Sequence, residues 1–313
     1  MNIEHLKIFY YTAKLKSFTK AAAYLNITQP SVTRLIYELQ DKLGLVLINK
    51  SGKSFVLTDS GEKIYNLAEK IFEVEKNIEE CVRDIQQQRS GIINIMTTET
   101  YGAHFMPEFV LDYKKKCPEI LLNVTTLPDD QVVNITSRLE CDFGIISKKI
   151  KNAKLITKVL LEEKIVLISA PGMPLANKKI LTPREINNLP MVMFEEECGT
   201  NEAVFKFKKK NNLDFDVKCV FSNSESVKSL VKKGIGYAFI SKNVIKNEVA
   251  RNELVEIKIP DETLVRHFYI IYHRDKYISN TLKTFLDIMS EWSDKYTVGI
   301  HREIEAIIKQ TGK

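Results

Sequence analysis

The sequence has few cysteines and no long apolar run. Its five cysteines are odd in number and scattered, with no CxxC pair, so neither a disulfide framework nor a zinc site is expected. The five histidines are equally dispersed, which leaves no candidate metal centre and predicts no cofactor. No apolar stretch reaches the roughly 18 residues that span a bilayer, and the amino terminus has no signal core. These absences argue against export and membrane insertion, and they predict a cytoplasmic protein.

Motifs of common catalytic folds are missing as well. The sequence contains no GxSxG, no P-loop and no GxGxxG after a strand pattern. Gly234 and Gly236 form a short "GIG", but it follows a helix pattern and precedes a strand pattern, the reverse of the order that dinucleotide binding needs. We therefore predict that the chain is not an enzyme, and an α/β enzyme remains the weaker alternative.

What the sequence does contain is a basic opening segment in a chain of two-domain or three-domain length. The chain has 313 residues, and domains take roughly 100–200 residues each. Residues 1–58 carry seven lysines and one arginine against three acidic residues, a net charge of +5, whereas residues 59–90 carry five basic and eight acidic residues, a net charge of −3. Phosphate binding explains this asymmetry, and so does a generally lysine-rich composition.

The first residues predict two helices. The first helix is amphipathic, with apolar residues at helical spacing: Leu6, Phe9, Tyr10 and Ala13. Ser17 or Thr19 can cap the second helix, which covers residues 20–25 and includes three consecutive alanines. Alanine favours helix and permits close approach of a neighbouring helix. Residues 26 and 27 then form a turn.

A third helix follows, with start and stop signals in place. Thr28 is a suitable N-cap, Pro30 fits the first turn, and Gly44 suits the position after the last residue, Leu43. Its buried stripe consists of Val32, Leu35, Ile36, Leu39 and Leu43. The opposite face, at the amino end, carries Gln29, Ser31, Thr33 and Arg34. Such side chains read base edges and phosphates, although for these residues in isolation a capped, solvated helix face is the favoured interpretation.

Two short strands are predicted next, at residues 45–48 and 55–57. The turn between them, "NKSGKS", places Gly52 between Lys50 and Lys53. A hairpin of this kind directly after two packed helices is a β-wing. Its basic tip would contact the DNA backbone or the minor groove.

The whole run "SFTKAAAYLNITQPSVTRLIYELQDKLGLVLINKSGKSFVLTDSG" resembles the winged helix-turn-helix domain of LysR-type transcriptional regulators. Departures are mild: Thr28 and Thr33 replace serine, Gln40 replaces glutamate, Ile48 replaces phenylalanine, and Lys50 and Lys53 replace arginine. Lysine keeps the charge but loses the bidentate geometry. The resemblance implies binding of double-stranded DNA through Ser17, Thr19, Thr28, Gln29, Pro30, Ser31, Thr33, Arg34, Lys50 and Lys53.

A long helix is predicted over residues 59–88, capped by Thr58. Its apolar residues repeat as an a/d heptad seam: Ile64, Leu67, Ile71, Val74, Ile78, Cys81 and Ile85. Packing on its own domain is one interpretation, and self-association is the favoured one. The resemblance to LysR-type proteins implies a linker helix that forms a homodimer, and a homotetramer beyond it.

The remaining two-thirds alternate between strand and helix patterns. The strand patterns are "IINIM", "ILLNV", "DFGII", "KIVLIS", "MVMF", "VKCVF" and "YAFIS". The helix patterns cover residues 105–116, 130–139, 183–188, 201–211 and 225–233. This alternation predicts an α/β domain with mostly parallel sheets. Long strands near residues 159–168 and 265–272 imply two lobes with a cleft between them, which resembles the periplasmic-binding-protein-like effector domain of LysR-type regulators.

Loops after these strands carry hydroxyl groups beside helix starts, which suits a small-molecule effector, a small anion or carboxylate. The candidate effector-binding residues are Thr98, Thr100, Tyr101, Ser147, Cys198, Gly199, Thr200 and Ser224. Helix capping explains any one of these loops alone. Cys198 also raises the alternative of a thiol-based redox-responsive regulator, but the next cysteine, Cys219, falls inside a predicted strand.

The predicted organisation has four parts. Residues 1–58 form the winged helix-turn-helix, 59–89 the dimerisation helix, 90–300 the effector-binding domain and 301–313 a tail of unassigned role. Within the effector-binding domain, lobe I covers about 91–161 and 266–300, and lobe II about 162–265. Residues 89–91 read as a hinge, and an amphipathic helix over 279–296 should pack on lobe I.

Overall fold

The computed structural model describes residues 2–51, 54–86, 91–178, 180–195, 198–259 and 264–294. It divides into two compact units, one up to Gln87 and one from Gln88 onward. Within the described ranges, no helix is long and apolar enough to cross a membrane. The predicted hinge at residues 89–90, the wing residues Gly52 and Lys53, and the tail lie outside the described residues.

The first unit begins with a helical bundle, and a hydroxyl or amide side chain caps each of its first three helices. The helices are α1 Ile3–Leu15, α2 Phe18–Tyr24, α3 Gln29–Leu43 and α4 Asp59–Ile85. Asn2, Ser17 and Thr28 each accept a hydrogen bond from a backbone N–H of the first turn. Gly44 ends α3 with φ of +64°, a left-handed conformation that glycine adopts without strain. The predicted caps at Ser17 and Thr28 are therefore found in the structure.

The core of the first unit is the predicted stripe of α3 packed on α1. Val32, Ile36 and Leu39 are buried, and they pack with Leu6 and Phe9 of α1. Leu35 and Leu43 are only partly buried at its edge. From α4, Ala68 and Phe72 complete this core, so the first half of the long helix belongs to the folded unit.

The wing is a two-stranded antiparallel sheet of β1 Ile48–Ser51 and β2 Ser54–Leu57. The first predicted strand, at residues 45–48, was wrong by three residues. Leu47 is fully buried, but its N–H donates to the side-chain oxygen of Gln40 (2.8 Å) instead of a neighbouring strand. Leu47 thus anchors the wing to the core before the strand begins, whereas Leu45 and Val46 are exposed.

The second unit is built on a seven-stranded sheet with the order β10-β6-β11-β5-β3-β4, and β9 also pairs with β6. The strands of the unit are β3 Gly91–Thr97, β4 Ile120–Thr126, β5 Phe143–Ile146, β6 Leu155–Ser169, β7 Pro190–Phe194, β8 Asp216–Phe221, β9 Ala238–Ser241, β10 Val255–Ile257 and β11 Val265–His273. β3 is parallel to β4 and β5, and β7 is parallel to β8. The long strands β6 and β11 run antiparallel to each other, so the sheet is less parallel than the sequence predicted.

Helices cover the sheets on both lobes. They are α5 Glu99–His104, α6 Met106–Lys116, α7 Asp129–Ser137, α8 Gly199–Asn211, α9 Ser224–Lys232, α10 Lys246–Ala250 and α11 Asn280–Ser293, with short 3-10 helices at Pro183–Ile186 and Lys242–Ile245. The sequence did not predict α5, α10 or β10. Lobe I has an aromatic core that includes Phe105, Phe109, Phe143, Phe285 and Trp292, and α11 packs on it as expected.

Lobe II has two apolar clusters. Leu167, Phe207 and Phe239 belong to one, and Val192 and Val227 to the other. The strands β6 and β11 carry the chain between the lobes, because β6 pairs with β11 along its first part and with β9 and β10 at its end. Loops at the ends of the strands of both lobes therefore come together beside this crossing.

Candidate nucleic-acid interface and effector crevice

The amino end of α3 presents a small polar surface. Gln29 and Arg34 are exposed, while Ser31 and Thr33 are half-buried. The amide nitrogen of Gln29 donates to the hydroxyl of Thr33 (3.0 Å). These groups sit one turn apart on one face, as the sequence predicted, and their local bonds limit their rotamers before any ligand arrives.

Arg34 has an acidic neighbour one turn further along α3. Its Nη1 lies 2.6 Å from Oε1 of Glu38, and the other oxygen of Glu38 lies 3.7 Å from Nε2 of His5. The Arg34 side chain remains 66% exposed. Exposed pairs of this kind contribute about 0–1 kcal/mol, so a phosphate or a base edge can displace Glu38 at little cost.

The remaining predicted DNA contacts fall into two groups. Ser17 and Thr28 are helix N-caps, while Thr19 and Pro30 are exposed near the same helix starts. Helix amino ends attract phosphate oxygens through their free N–H groups. Lys50 lies within β1, paired with Phe55 across the hairpin, but its side chain and the whole of Lys53 are outside the described residues.

Gln40 links α3 to the wing, a role that the sequence analysis did not predict. Its Oε1 accepts the N–H groups of Leu47 (2.8 Å) and Ile48 (3.1 Å), and the side chain is buried. The sequence offered one signal for this role, namely the position of residue 40 along α3. Residue 40 follows Ile36 by four residues, so it lies on the buried stripe of α3, where a polar side chain needs a specific partner.

The heptad seam of α4 is largely exposed in the single chain. Leu67, Val74 and Ile78 are 58%, 56% and 59% exposed, and Ile71 is 40% exposed. Ile64 is partly buried in the core of its own unit, Cys81 is half-buried, and the side chain of Ile85 lies outside the described part. Fully burying one such side chain contributes about 1.5–3 kcal/mol. Packing of the exposed seam against a partner helix would therefore be stabilising.

In the second unit the two lobes meet at Ser147, directly after β5. The N–H and hydroxyl of Ser147 donate to the carboxylate of Asp129 (3.0 and 2.8 Å). Gly199, the first residue of α8, packs against Ser147 so closely that a Cβ there would lie 2.7 Å from the Ser147 carbonyl oxygen. Glycine is therefore required at this contact between lobes.

Arg266 lies beside this contact and was not predicted. It is 4% exposed, and its Nε donates to Oε2 of Glu163 (2.6 Å) at the crossing of β6 and β11. Its Nη1 donates to the hydroxyl of Thr200 (2.8 Å), the second residue of α8. Its Nη2 is buried and has no hydrogen-bond acceptor among the described residues. A buried guanidinium nitrogen without an acceptor is costly, and a bound oxygen ligand would remove that cost.

The loop after β3 lies beside the end of β5, because the N–H of Thr98 donates to the carbonyl of Ile145 (3.2 Å). Thr98 precedes α5 without capping it, and its Oγ1 is buried with no hydrogen-bond partner among the described residues. Thr100 makes a long hydrogen bond (3.5 Å) to the Glu99 carboxylate. Both residues keep hydrogen-bonding capacity that the fold does not use.

Three other predicted effector contacts need comment. Tyr101 is a correction, because it is fully buried in the lobe I core, stacked on Phe105, and it presents no surface to a crevice. Ser224 is the buried first residue of α9, and Cys198 is a half-buried free thiol at the start of α8. The structure thus brings together Ser147, Gly199 and Thr200, and it excludes Tyr101 from their crevice.

Two carboxylates complete the electrostatics of the crevice. Burial raises the pKa of Asp129, although the hydrogen bonds from Ser147 oppose the shift. Burial and then the like charge of Glu225 raise the pKa of Glu99, while Arg266 opposes both shifts. The crevice therefore combines the buried guanidinium of Arg266 with two half-buried carboxylates whose pKa values are raised.

Comparison with known proteins places this arrangement in a family. Residues 3–62 match the model described as a bacterial regulatory helix-turn-helix protein of the lysR family. Residues 86–294 match the LysR substrate binding domain. The chain therefore belongs to the LysR family of transcriptional regulators, which confirms the resemblance inferred from the sequence and decides against an α/β enzyme.

Individual relatives and solved structures agree with this assignment, and two of the following three cover more than nine-tenths of the chain. The uncharacterized HTH-type transcriptional regulator YeiE of Escherichia coli strain K12 is 27% identical over 287 residues, covering 92% of this chain and 96% of the relative. A full-length OxyR variant from Pseudomonas aeruginosa superposes with a TM-score of 0.77 at 17% identity, covering 94% and 95%. The regulatory domain of CcmR from Synechocystis PCC6803, in complex with 2-PG, superposes with a TM-score of 0.60 at 23% identity, covering 67% of this chain and 100% of that one.

Proposed function

We propose that this LysR-type regulator reads its DNA site with the amino end of α3 and responds to a small anion or carboxylate bound beside Arg266. The single observation that carries the effector assignment is the buried Nη2 of Arg266, which has no acceptor among the described residues. Thr200 and the first turn of α8 lie next to it. A helix amino end and an arginine together favour a carboxylate or phosphate oxygen.

Direct reading of DNA is tested with Arg34→Ala in full-length protein, by fluorescence anisotropy on upstream DNA at physiological salt. If Arg34 contacts a base, its loss costs about 1–3 kcal/mol and relaxes specificity at one position. Lys42→Ala is a matched control, because Lys42 is an exposed cation in the last turn of the same helix. Equal weakening by both variants on specific and random DNA would contradict base reading by Arg34.

Effector binding is tested by a thermal-shift screen of small carboxylates and phosphates. A ligand present at about 100 times its Kd stabilises the folded protein by about 2.7 kcal/mol. Thr200→Val should reduce that shift, because it removes the hydroxyl beside Arg266. Thr284→Val changes an exposed threonine on α11 and should leave the shift unaltered. If no such compound raises the melting temperature of the wild type, the effector assignment fails.

Self-association completes the proposal. The exposed seam of α4 supports a homodimer, in which two recognition helices and two wings address a partly symmetric site. The support is the apolar character of Leu67, Val74 and Ile78 at exposed positions.

A regulator that acts on DNA works where the DNA is, so we also assign it to the cytoplasm.

A further inference from the structure

The guanidinium of Arg34 on α3 is held by a carboxylate at one of its nitrogens. Its Nη1 donates to Oε1 of Glu38, one turn further along the helix, over 2.6 Å. Within the described ranges, neither Nε nor Nη2 of Arg34 donates to any other side chain or carbonyl. A guanidinium is a flat fork with five N–H donors, so the edge formed by Nε and Nη2 remains available to a ligand.

The second oxygen of Glu38 is turned towards the buried ring of His5 on α1. Its Oε2 lies 3.7 Å from Nε2 of His5, too far for a hydrogen bond but near enough for electrostatic attraction. The Nδ1 of His5 is buried and has no hydrogen-bond partner among the described residues. A proton on Nδ1 would be left unpaired, which favours the tautomer with its proton on Nε2, facing Glu38. The carboxylate is therefore attracted from α1 on one side and bonded to Arg34 on the other.

The ion pair acts on the conformation of Arg34 more than on stability. Both side chains are partly exposed, 66% for Arg34 and 40% for Glu38, and exposed pairs add little to the free energy of unfolding. An arginine side chain has many rotamers, and fixing them on a ligand costs entropy. Because Glu38 restricts these rotamers in the free protein, less entropy is lost when Arg34 binds.

A guanine and a phosphate make different demands on this pair. The N7 and O6 atoms of guanine accept two hydrogen bonds from one arginine in the major groove, and the Nε–Nη2 edge can donate both while Nη1 stays on Glu38. A phosphate can accept from the same edge, but its negative charge would be repelled by the carboxylate of Glu38 beside it. Guanine is uncharged and meets no such repulsion. The carboxylate therefore favours contact of Arg34 with guanine over contact with phosphate.

We infer that Glu38 is a positioning residue for DNA reading. It holds Arg34 through Nη1 so that the Nε–Nη2 edge reads a guanine, and its charge disfavours contact of Arg34 with phosphate. The inference rests on the proposed function, in which the amino end of α3 reads DNA. It adds the base that Arg34 selects and the residue that imposes the selection.

The test uses full-length protein and a library of double-stranded DNA of random sequence. Repeated selection by the wild type gives its preferred site, and fluorescence anisotropy at fixed salt gives the Kd of that site and of its single-base variants. Arg34→Ala identifies the position that Arg34 reads, because preference should be lost there and kept elsewhere. At that position the wild type should prefer guanine by about tenfold or more, as a bidentate contact provides.

Two variants of Glu38 separate its hydrogen bond from its charge. Glu38→Ala removes the acceptor and frees the rotamers of Arg34, so the preference for guanine should fall below about threefold, well under that of a bidentate contact. Glu38→Gln keeps an acceptor oxygen at the same reach and should retain most of the preference. Both variants remove the negative charge and should tighten the Kd for random DNA.

Asp41→Asn is the matched control, since Asp41 is an exposed carboxylate three residues further along the same helix. It should leave the preference for guanine at the wild-type value. It also measures how much the loss of any carboxylate from α3 tightens binding to random DNA, and the effect of Glu38→Gln should exceed that value.

The results that would overturn the inference are distinct from those that would overturn the proposed function. The inference fails if Glu38→Ala keeps the full preference, if Glu38→Gln loses as much of it as Glu38→Ala, or if the base read by Arg34 is not guanine. Equal tightening on random DNA by Glu38→Gln and Asp41→Asn would overturn the role of the charge. If the wild type selects no site, or if Arg34→Ala leaves every position unchanged, the proposed function itself fails.

Discussion

Replacement of Gln40 by alanine should loosen the wing, and the structure sets the size of the effect. Oε1 of Gln40 accepts two backbone N–H groups, from Leu47 at 2.8 Å and from Ile48 at 3.1 Å. Leu47 is fully buried and Ile48 is 8% exposed. A buried donor left without an acceptor costs about 1–3 kcal/mol. The two backbone donors left without an acceptor should together cost about 2–4 kcal/mol, because water has partial access to Ile48.

The prediction is best measured by hydrogen exchange at the residues concerned. Since about 1.4 kcal/mol corresponds to a factor of ten, exchange of the peptide that contains Leu47 and Ile48 should accelerate roughly 30- to 700-fold in Gln40→Ala. DNA affinity should fall as well, because the wing loses its fixed position beside α3. Gln40→Glu keeps both acceptor sites and should retain most of the protection.

One result would refute the reasoning. If exchange at Leu47 and Ile48 is as slow in Gln40→Ala as in the wild type, the side chain of residue 40 does not hold the wing, and the hairpin is positioned by its apolar contacts alone. Equal acceleration in Gln40→Glu, which keeps both the side-chain volume and an acceptor oxygen, would also count against the role of residue 40 as acceptor.

Three further predictions concern other parts of the chain. Lys276→Met should destabilise the second unit by about 3–5 kcal/mol in urea unfolding, because it strands the buried Asp142 that lies 2.8 Å away; adding Asp142→Asn should restore most of the loss. Val74→Glu should shift sedimentation towards monomer, whereas Lys76→Glu, at the heptad position opposite the seam, should not. Burial lowers the pKa of His104 in the folded protein below its usual 6.5. As the pH falls, the unfolded state therefore takes up this proton first, and the free energy of unfolding should decrease below about pH 6.5. His104→Gln should flatten this decrease.

The first unit was predictable because its local signals are strong and mutually consistent. Ser17, Thr28 and Gly44 mark helix boundaries chemically, through a hydroxyl that accepts an N–H or a residue that tolerates positive φ. The stripe of α3 has a clear helical period. The wing was misplaced because residues 45–47 are apolar like a strand, whereas only Leu47 among them is buried, through contact with the helical core.

The second unit was predictable in its element order but less so in its pairing. The strand pattern of β6 is the same whether its neighbour is parallel or antiparallel, so its antiparallel pairing with β11 could not be read from composition. α5 was missed because residues 97–102 read as a loop after β3, and the one helix predicted here, over 105–116, corresponds to α6.

The crevice shows where sequence reasoning about sites ends. Ser147, Gly199 and Thr200 could be named as candidates because hydroxyls and glycine after strands and at helix starts have a local meaning, and the structure brings the three together. Tyr101 was wrong because its side chain turns into the lobe I core, which only the tertiary fold decides. Arg266 was not predicted because its contacts are with Thr200 and Glu163. These residues lie 66 and 103 positions away from it in the sequence.

The pair of Arg266 and Glu163 also explains how binding in the crevice can reach the rest of the molecule. A buried ion pair is a poor source of stability, because desolvation of both charges offsets their attraction, and apolar residues of similar volume often do as well. Glu163 nevertheless also accepts hydrogen bonds from Ser241 and Asn243 of lobe II. Arg266 meanwhile contacts Thr200 on α8. A ligand that takes the free Nη2 of Arg266 therefore acts on a hydrogen-bond network joining both crossing strands to lobe II. Small changes in lobe angle must rearrange this network, and that makes the crossing of β6 and β11 the part of the fold best placed to convert occupancy into a change of shape.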